Sequence, residues 1–138
     1  MKRIVSLLMV FLVVFSFTTA FANSGRTTVP QEQLRYAHTL IASGNLSISN
    51  KKANCSGRIT AFDSSASVSI TITLQKKSGT SWLYVDSWSA SGTSGALGLS
   101  ASGTKSIPNG TYRVKTSGTV SVNGSSESVT AYSAEKTY

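Results

Sequence analysis

Between Ser67 and Gln75 apolar and polar residues alternate without a break. Val68, Ile70, Ile72 and Leu74 fall on one side; Ser69, Thr71, Thr73 and Gln75 fall on the other. A period of two is the signature of a strand that buries one face of its sheet. Lys76 to Thr80 reads as a hairpin turn in which Gly79 is free to take a positive φ. The aromatic segment Ser81 to Ser89 follows as a second strand, but Trp82, Val85 and Trp88 do not share a single period of two. Two arrangements fit. Either Leu83 and Val85 face the core with Trp82, Tyr84 and Trp88 outside, or a bulge switches faces midway.

The rest of the chain after Leu34 is rich in Ser, Thr, Val and Ile, punctuated by Gly and Asn at short intervals. This composition favours strands and argues against helices. Arg35 to Ile41 and Asn45 to Ser49 read as two short strands broken at Ser43-Gly44. Ala53 to Phe62 follows an Asn50-Lys51-Lys52 turn, with Cys55, Gly57, Ile59 and Ala61 suited to a crowded inner face. The Gly- and Ser-rich stretch from Ser89 to Lys105 reads as a loop with a weak edge strand near Ala96 to Ser102. After the Pro108-Asn109-Gly110 turn, Thr111 to Val122 places Tyr112, Val114, Thr116, Gly118, Val120 and Val122 on one side. Asn123-Gly124 is a hairpin signal, and Glu127 to Thr137 is the last strand. About seven antiparallel-compatible strands at this spacing predict an all-β sandwich.

The first 22 residues break this pattern. Lys2 and Arg3 precede an apolar run from Ile4 to Phe17, and Ala20-Phe21-Ala22 supplies small residues at the −3 and −1 positions of a cleavage site. These are the three parts of a secretory signal peptide, so a cleaved signal helix over 1–22 is expected. The run is shorter than the ~20 apolar residues of a spanning helix. The expected product is secreted, with no stable membrane anchor after cleavage. Residues 23–33 are polar, contain Pro30 and read as a flexible arm, and 34–138 reads as the sandwich domain.

Without the leader, 11 basic and 5 acidic side chains remain, a net charge of +6. That favours anionic neighbours such as envelope polymers. The charges stand singly or in pairs, such as Lys51-Lys52 and Lys76-Lys77, so the pattern gives no reason to expect nucleic acid as a partner. Cys55 is the single cysteine, which rules out an intrachain disulfide. It reads as a small buried hydrophobe, with a reactive thiol as the other reading.

One local motif narrows the fold. Ile107-Pro108-Asn109-Gly110-Thr111-Tyr112-Arg113-Val114 resembles the tyrosine corner of immunoglobulin-like sandwiches, with Val114 where the second cysteine would stand and Cys55 near the first. The wider pattern resembles a group of short secreted proteins of unknown function from Gram-positive bacteria (Firmicutes-type). It rests on the stretch Leu74 to Trp82, on Val85 and Trp88, and on Gly110-Thr111-Tyr112-Arg113. The resemblance covers residues 36–138 and implies a single immunoglobulin-like antiparallel β-sandwich domain exported by a Gram-positive cell. It supplies no active site.

Catalytic chemistry finds little support. His38 is the only histidine, and with one cysteine no zinc-ligand spacing can be assembled. Ser94 comes closest to a nucleophile context but lacks the first glycine of Gly-x-Ser-x-Gly. Glu32, Asp63, Asp86, Glu127 and Glu135 are isolated acids, and a glycosidase needs a facing pair. The residues therefore predict no enzyme, cofactor or metal. A binding role remains. Trp82, Tyr84 and Trp88 would make an aromatic platform if they project together, and Lys76, Lys77, Arg113 and Lys115 could form an anion-facing strip beside it. The competing reading buries both tryptophans in the core, where large apolar side chains are usually found. The expected function is a secreted, non-catalytic module that binds an anionic cell-envelope polymer, a glycan or a protein. The alternative is a secreted antimicrobial or toxin-like polypeptide, which would need a membrane-active amphipathic segment.

Overall fold

A computed structural model describes residues 36–138; the signal peptide expected over 1–22 and the arm expected over 23–33 lie outside the described residues. Eight strands follow one another: β1 (Thr39–Ser49), β2 (Lys52–Ala61), β3 (Ser67–Ser78), β4 (Ser81–Thr93), β5 (Leu99–Ser106), β6 (Thr111–Val122), β7 (Ser125–Tyr132) and β8 (Lys136–Thr137). Two antiparallel sheets pack face to face. One has the order β1-β2-β5; the other runs β4-β3-β6-β7, with β8 continuing the β7 side of β6. The core between them holds Leu46, Cys55, Ile59, Val68, Ile70, Ile72, Leu74, Tyr112, Val114, Val120 and Val129. Each fully buried aliphatic side chain contributes roughly 1.5–3 kcal/mol of transfer free energy.

The alternation of β3 translates directly into burial: Val68, Ile70, Ile72 and Leu74 are buried, and the polar residues between them lie on the outer face. The turn after it is tighter than the five residues the sequence suggests. Ser78 still pairs with Ser81, leaving only Gly79 and Thr80 in the loop, with Gly79 at φ +60°. That is where a type II′ hairpin places its glycine. Asn123-Gly124 also forms its hairpin, with both residues at positive φ as a type I′ turn requires.

Three expectations need correction. First, β1 is continuous through Ser43-Gly44, paired residue by residue with β2. Gly44 is there for close approach, since a Cβ would lie 3.0 Å from Thr116 Oγ1 and 3.2 Å from the Ser133 nitrogen. Second, the Ser89–Lys105 stretch is mostly strand. β4 extends to Thr93 against Ser67 of β3, β5 spans 99–106 against β2, and the true loop is confined to 94–98. Small polar residues have weak intrinsic preference, and the ladder to a hydrophobic neighbour decides their state. Third, the last strand is split. Ser133 breaks it by giving its hydroxyl to the Ala134 carbonyl while accepting from the Val114 N–H.

The chain before β1 ties the two sheets together. Glu127 on β7 accepts from the Ala37 and His38 N–H groups and from Thr39 Oγ1 at 2.7, 2.9 and 2.6 Å. Burial alone would raise its pKa, but the hydrogen bonds from Thr39, His38 and Ala37 outweigh that and hold the carboxyl below its usual range. The Tyr36 hydroxyl accepts from Thr130 N on the outer edge of β7. The Phe62 N–H meanwhile reaches the His38 carbonyl from the other sheet. An edge that would otherwise present unpaired backbone is thus partly covered.

Candidate functional site

The site is built by one irregularity in β4. Leu74 of β3 pairs with Asp86 but Gln75 pairs with Tyr84, so Val85 is an extra residue in the ladder. This is a bulge, and it decides which way the aromatic residues point. On its C-terminal side Asp86 and Trp88 stand opposite Leu74 and Ile72, on the inner face. On its N-terminal side Tyr84 and Trp82 stand opposite Gln75 and Lys77, on the outer face. Under strict alternation all four would share one side.

Trp88 accordingly leaves the proposed platform. It packs against the core at the side where β4 meets β5, with its indole over the backbone of Gly103. A Cβ at Gly103 would lie 2.0 Å from the ring, so glycine is needed to let the ring close the gap between sheets. Beside it Asp86 pairs with Lys105 of β5 at 2.9 Å. Hydrogen bonding to Lys105, aided by the Ser87 N–H, lowers the Asp86 pKa. Lys76 also leaves the strip, since it follows the inner side of β3 and covers the Tyr112 ring at 5.8 Å. Leu83, on the inner side at the open end, remains exposed, while Val85 packs against the core.

The other five predicted residues share the outer face of the five-stranded sheet. The β3–β6 register puts Arg113 opposite Gln75 and Lys115 opposite Thr73. The β6–β7 register then adds Tyr132 opposite Lys115. Arg113 is held between two rings, its guanidinium 4.1 Å from the centre of Trp82 and 4.3 Å from that of Tyr132. Its Nε donates to Gln75 Oε1 at 2.9 Å. No carboxylate among the described residues lies within ion-pair distance of it. Lys77 stands over the same indole at 5.5 Å and also reaches Glu135 at 3.2 Å. Tyr84 is the most exposed ring of the group, at 66%. The two ring contacts and the Gln75 bond together hold the guanidinium in place. What remains is a rigid fork with its outer N–H groups unclaimed.

Away from this clasp the same face changes character. Ser89, Thr71, Ser117 and Thr130 form one row across the four strands. Ser91, Ser69, Thr119 and Ser128 form the next, and Thr93, Ser67, Ser121 and Ser126 the last. Neighbours within rows share hydrogen bonds, Thr71 with Ser89 at 2.7 Å and Ser121 with Ser126 at 2.6 Å. An open depression of about 540 Å³ lies among the last two rows.

The remaining candidate chemistry is dispersed. His38 Nε2 faces Ser125 Oγ at 3.2 Å, whereas Ser94 is buried and accepts from the Ala61 N–H. Asp63 is taken up by the Ser65 N–H and hydroxyl, and the Ser65 hydroxyl leads the effects that lower its pKa. Cys55 is buried in the core, and desolvation, followed by the charge of Asp86, pushes its thiol pKa up to about 11. A thiol held protonated and enclosed is a poor nucleophile. Among the described residues no three His, Cys, Asp or Glu side chains gather where they could hold a metal ion.

Tyr132 and Gln75 are the members of the clasp that sequence reasoning missed. Tyr132 had a strand assignment, but only the β6–β7 register brings it to Arg113. No local signal marks that neighbour. No family model matches the chain, nor does any curated protein or solved structure.

Proposed function

We propose that the chain is a secreted, non-catalytic binding module of immunoglobulin-like type, which engages an anionic polymer of the cell envelope through the Trp82 end of its outer sheet face. The carrying observation is the Arg113 guanidinium, in contact with both the Trp82 and the Tyr132 rings and with no carboxylate partner among the described residues. A planar cation held in place before binding loses little side-chain entropy when it meets an oxyanion. Lys115 adds positive charge beside it, Lys77 adds an ammonium already paired with Glu135, and the exposed Tyr84 ring adds flat apolar surface.

Two features support the immunoglobulin-like assignment. Tyr112 is fully buried at the start of β6, and its hydroxyl donates to the Pro108 carbonyl at 2.7 Å, as a tyrosine corner does. Cys55 on β2 and Val114 on β6 both belong to the core, where such domains place their bridged cysteines. Export from a Gram-positive cell is part of the same reading, resting on the leader and the wider resemblance.

The test uses the full chain expressed in a Gram-positive host. The protein is expected in the medium, and it should be retained on purified cell walls at low salt and released as salt rises. Trp82→Ala and Arg113→Ala should each abolish retention. Protein that stays inside the cell would contradict export. Undiminished retention of both variants would contradict the proposed face.

A further inference from the structure

We infer that the outer face of the five-stranded sheet selects a polysaccharide with spaced carboxylates, holding one uronic-acid carboxylate in the Arg113 fork while neutral sugar units lie over the Ser/Thr rows. This rests on the binding role proposed above and adds which polymer is chosen.

The distribution of charge carries the argument. Lys77, Arg113 and Lys115 all lie at one end of the face, and the three rows beyond Thr73 contain no charged residue. The distance from Gln75 to Ser67 along β3 is roughly 27 Å at ~3.4 Å per residue. A polymer charged on every unit, such as polyphosphate, would place most of its anions over neutral hydroxyls and gain few ion partners there. A chain with charges set apart by neutral units places one anion at the clasp and lays fewer of the others over the neutral rows than a polymer charged on every unit does.

The chemistry of the two zones agrees with this. Arg113 offers a planar fork, and a carboxylate is the flat anion that takes two parallel N–H bonds in that plane. Trp82, Tyr84 and Tyr132 surround it with ring surface suited to the apolar face of a sugar. The hydroxyls beyond are both donors and acceptors, so they can meet sugar hydroxyls in either sense. The open depression lined by Ser69, Ser91 and Thr119 gives room for ring substituents.

Hyaluronate, in which uronic acids alternate with neutral amino sugars, is the probe. Titration calorimetry of the protein recovered from the medium should show hyaluronate binding more tightly than either polygalacturonate, charged on every unit, or polyphosphate. Methyl-esterified hyaluronate should not bind. Arg113→Lys, which keeps the charge but removes the fork, should weaken binding about tenfold. An octasaccharide should bind about tenfold tighter than a tetrasaccharide, because only the longer one spans all three Ser/Thr rows. Equal binding of the ester, tighter binding of polyphosphate or polygalacturonate, or no gain with length would each overturn the inference. Cell-wall retention without hyaluronate binding would overturn it too, yet leave the binding role standing; loss of wall retention would remove the role itself.

Discussion

Trp82 and Trp88 stand on the same strand, separated by one extra residue, and they do opposite work. Trp88 lies over Gly103 and closes the sandwich between its two sheets. Trp82 lies on the outer face against the Arg113 guanidinium. Neither difference comes from the residue type or from its neighbours in the chain. It comes from Val85, which shifts the parity of everything before it. A single bulge lets one strand supply both a core residue and an outward-facing one, at the edge position where bulges are common.

The comparison is broken most severely from the inside. Trp88→Ala should lower unfolding stability by about 3 kcal/mol, the lower end for a core tryptophan because the ring is only partly buried. Chemical denaturation read by circular dichroism would show it, and a change below about 1 kcal/mol would contradict a structural role. Gly103→Ala attacks the same contact from the partner strand. Its Cβ would collide with the indole, so a loss of about 1–2 kcal/mol is expected from the forced shift of ring or backbone. An unchanged midpoint would mean that the ring moves aside freely.

Asp86 supplies a smaller and pH-dependent effect on the inward half. Its pKa is lowered in the folded state, chiefly by Lys105. Its contribution is therefore present above the unfolded carboxylate value of about 3.9 and lost as pH falls through the folded pKa. Lys105 is raised by the same partner, so its share is lost as pH rises through its folded pKa. Wild type and Asp86→Asn should differ in Tm near neutral pH and converge in acid. A difference that persists in acid would place its origin elsewhere. Trp82→Ala should matter least to folding, by under about 1 kcal/mol, since its cation contacts lie at the surface.

Much of the fold was legible because β3 and β6 alternate cleanly and the Asn-Gly and Pro-Asn-Gly turns carry their own geometry. Gly44 misled because a glycine chosen for close approach to Thr116 looks, in sequence, like one chosen for a break. Ser89 to Thr93 looked like loop because its strand state is imposed by pairing with β3. The site was half legible. The alternation around Tyr112 placed Arg113 and Lys115 outward, and the aromatic strand left two arrangements open. The bulge that chooses between them depends on the β3 register, and Tyr132 arrives only through the β7 pairing. Local pattern reports a residue's parity, but not the partner across the sheet.

The chain has two tryptophans, so its two indole N–H signals can be followed separately by ¹⁵N NMR during titration with solubilised envelope polymer. The account predicts that the Trp82 signal shifts with polymer while the Trp88 signal stays in place. Movement confined to Trp88, or no movement of Trp82 at saturating polymer, would contradict it.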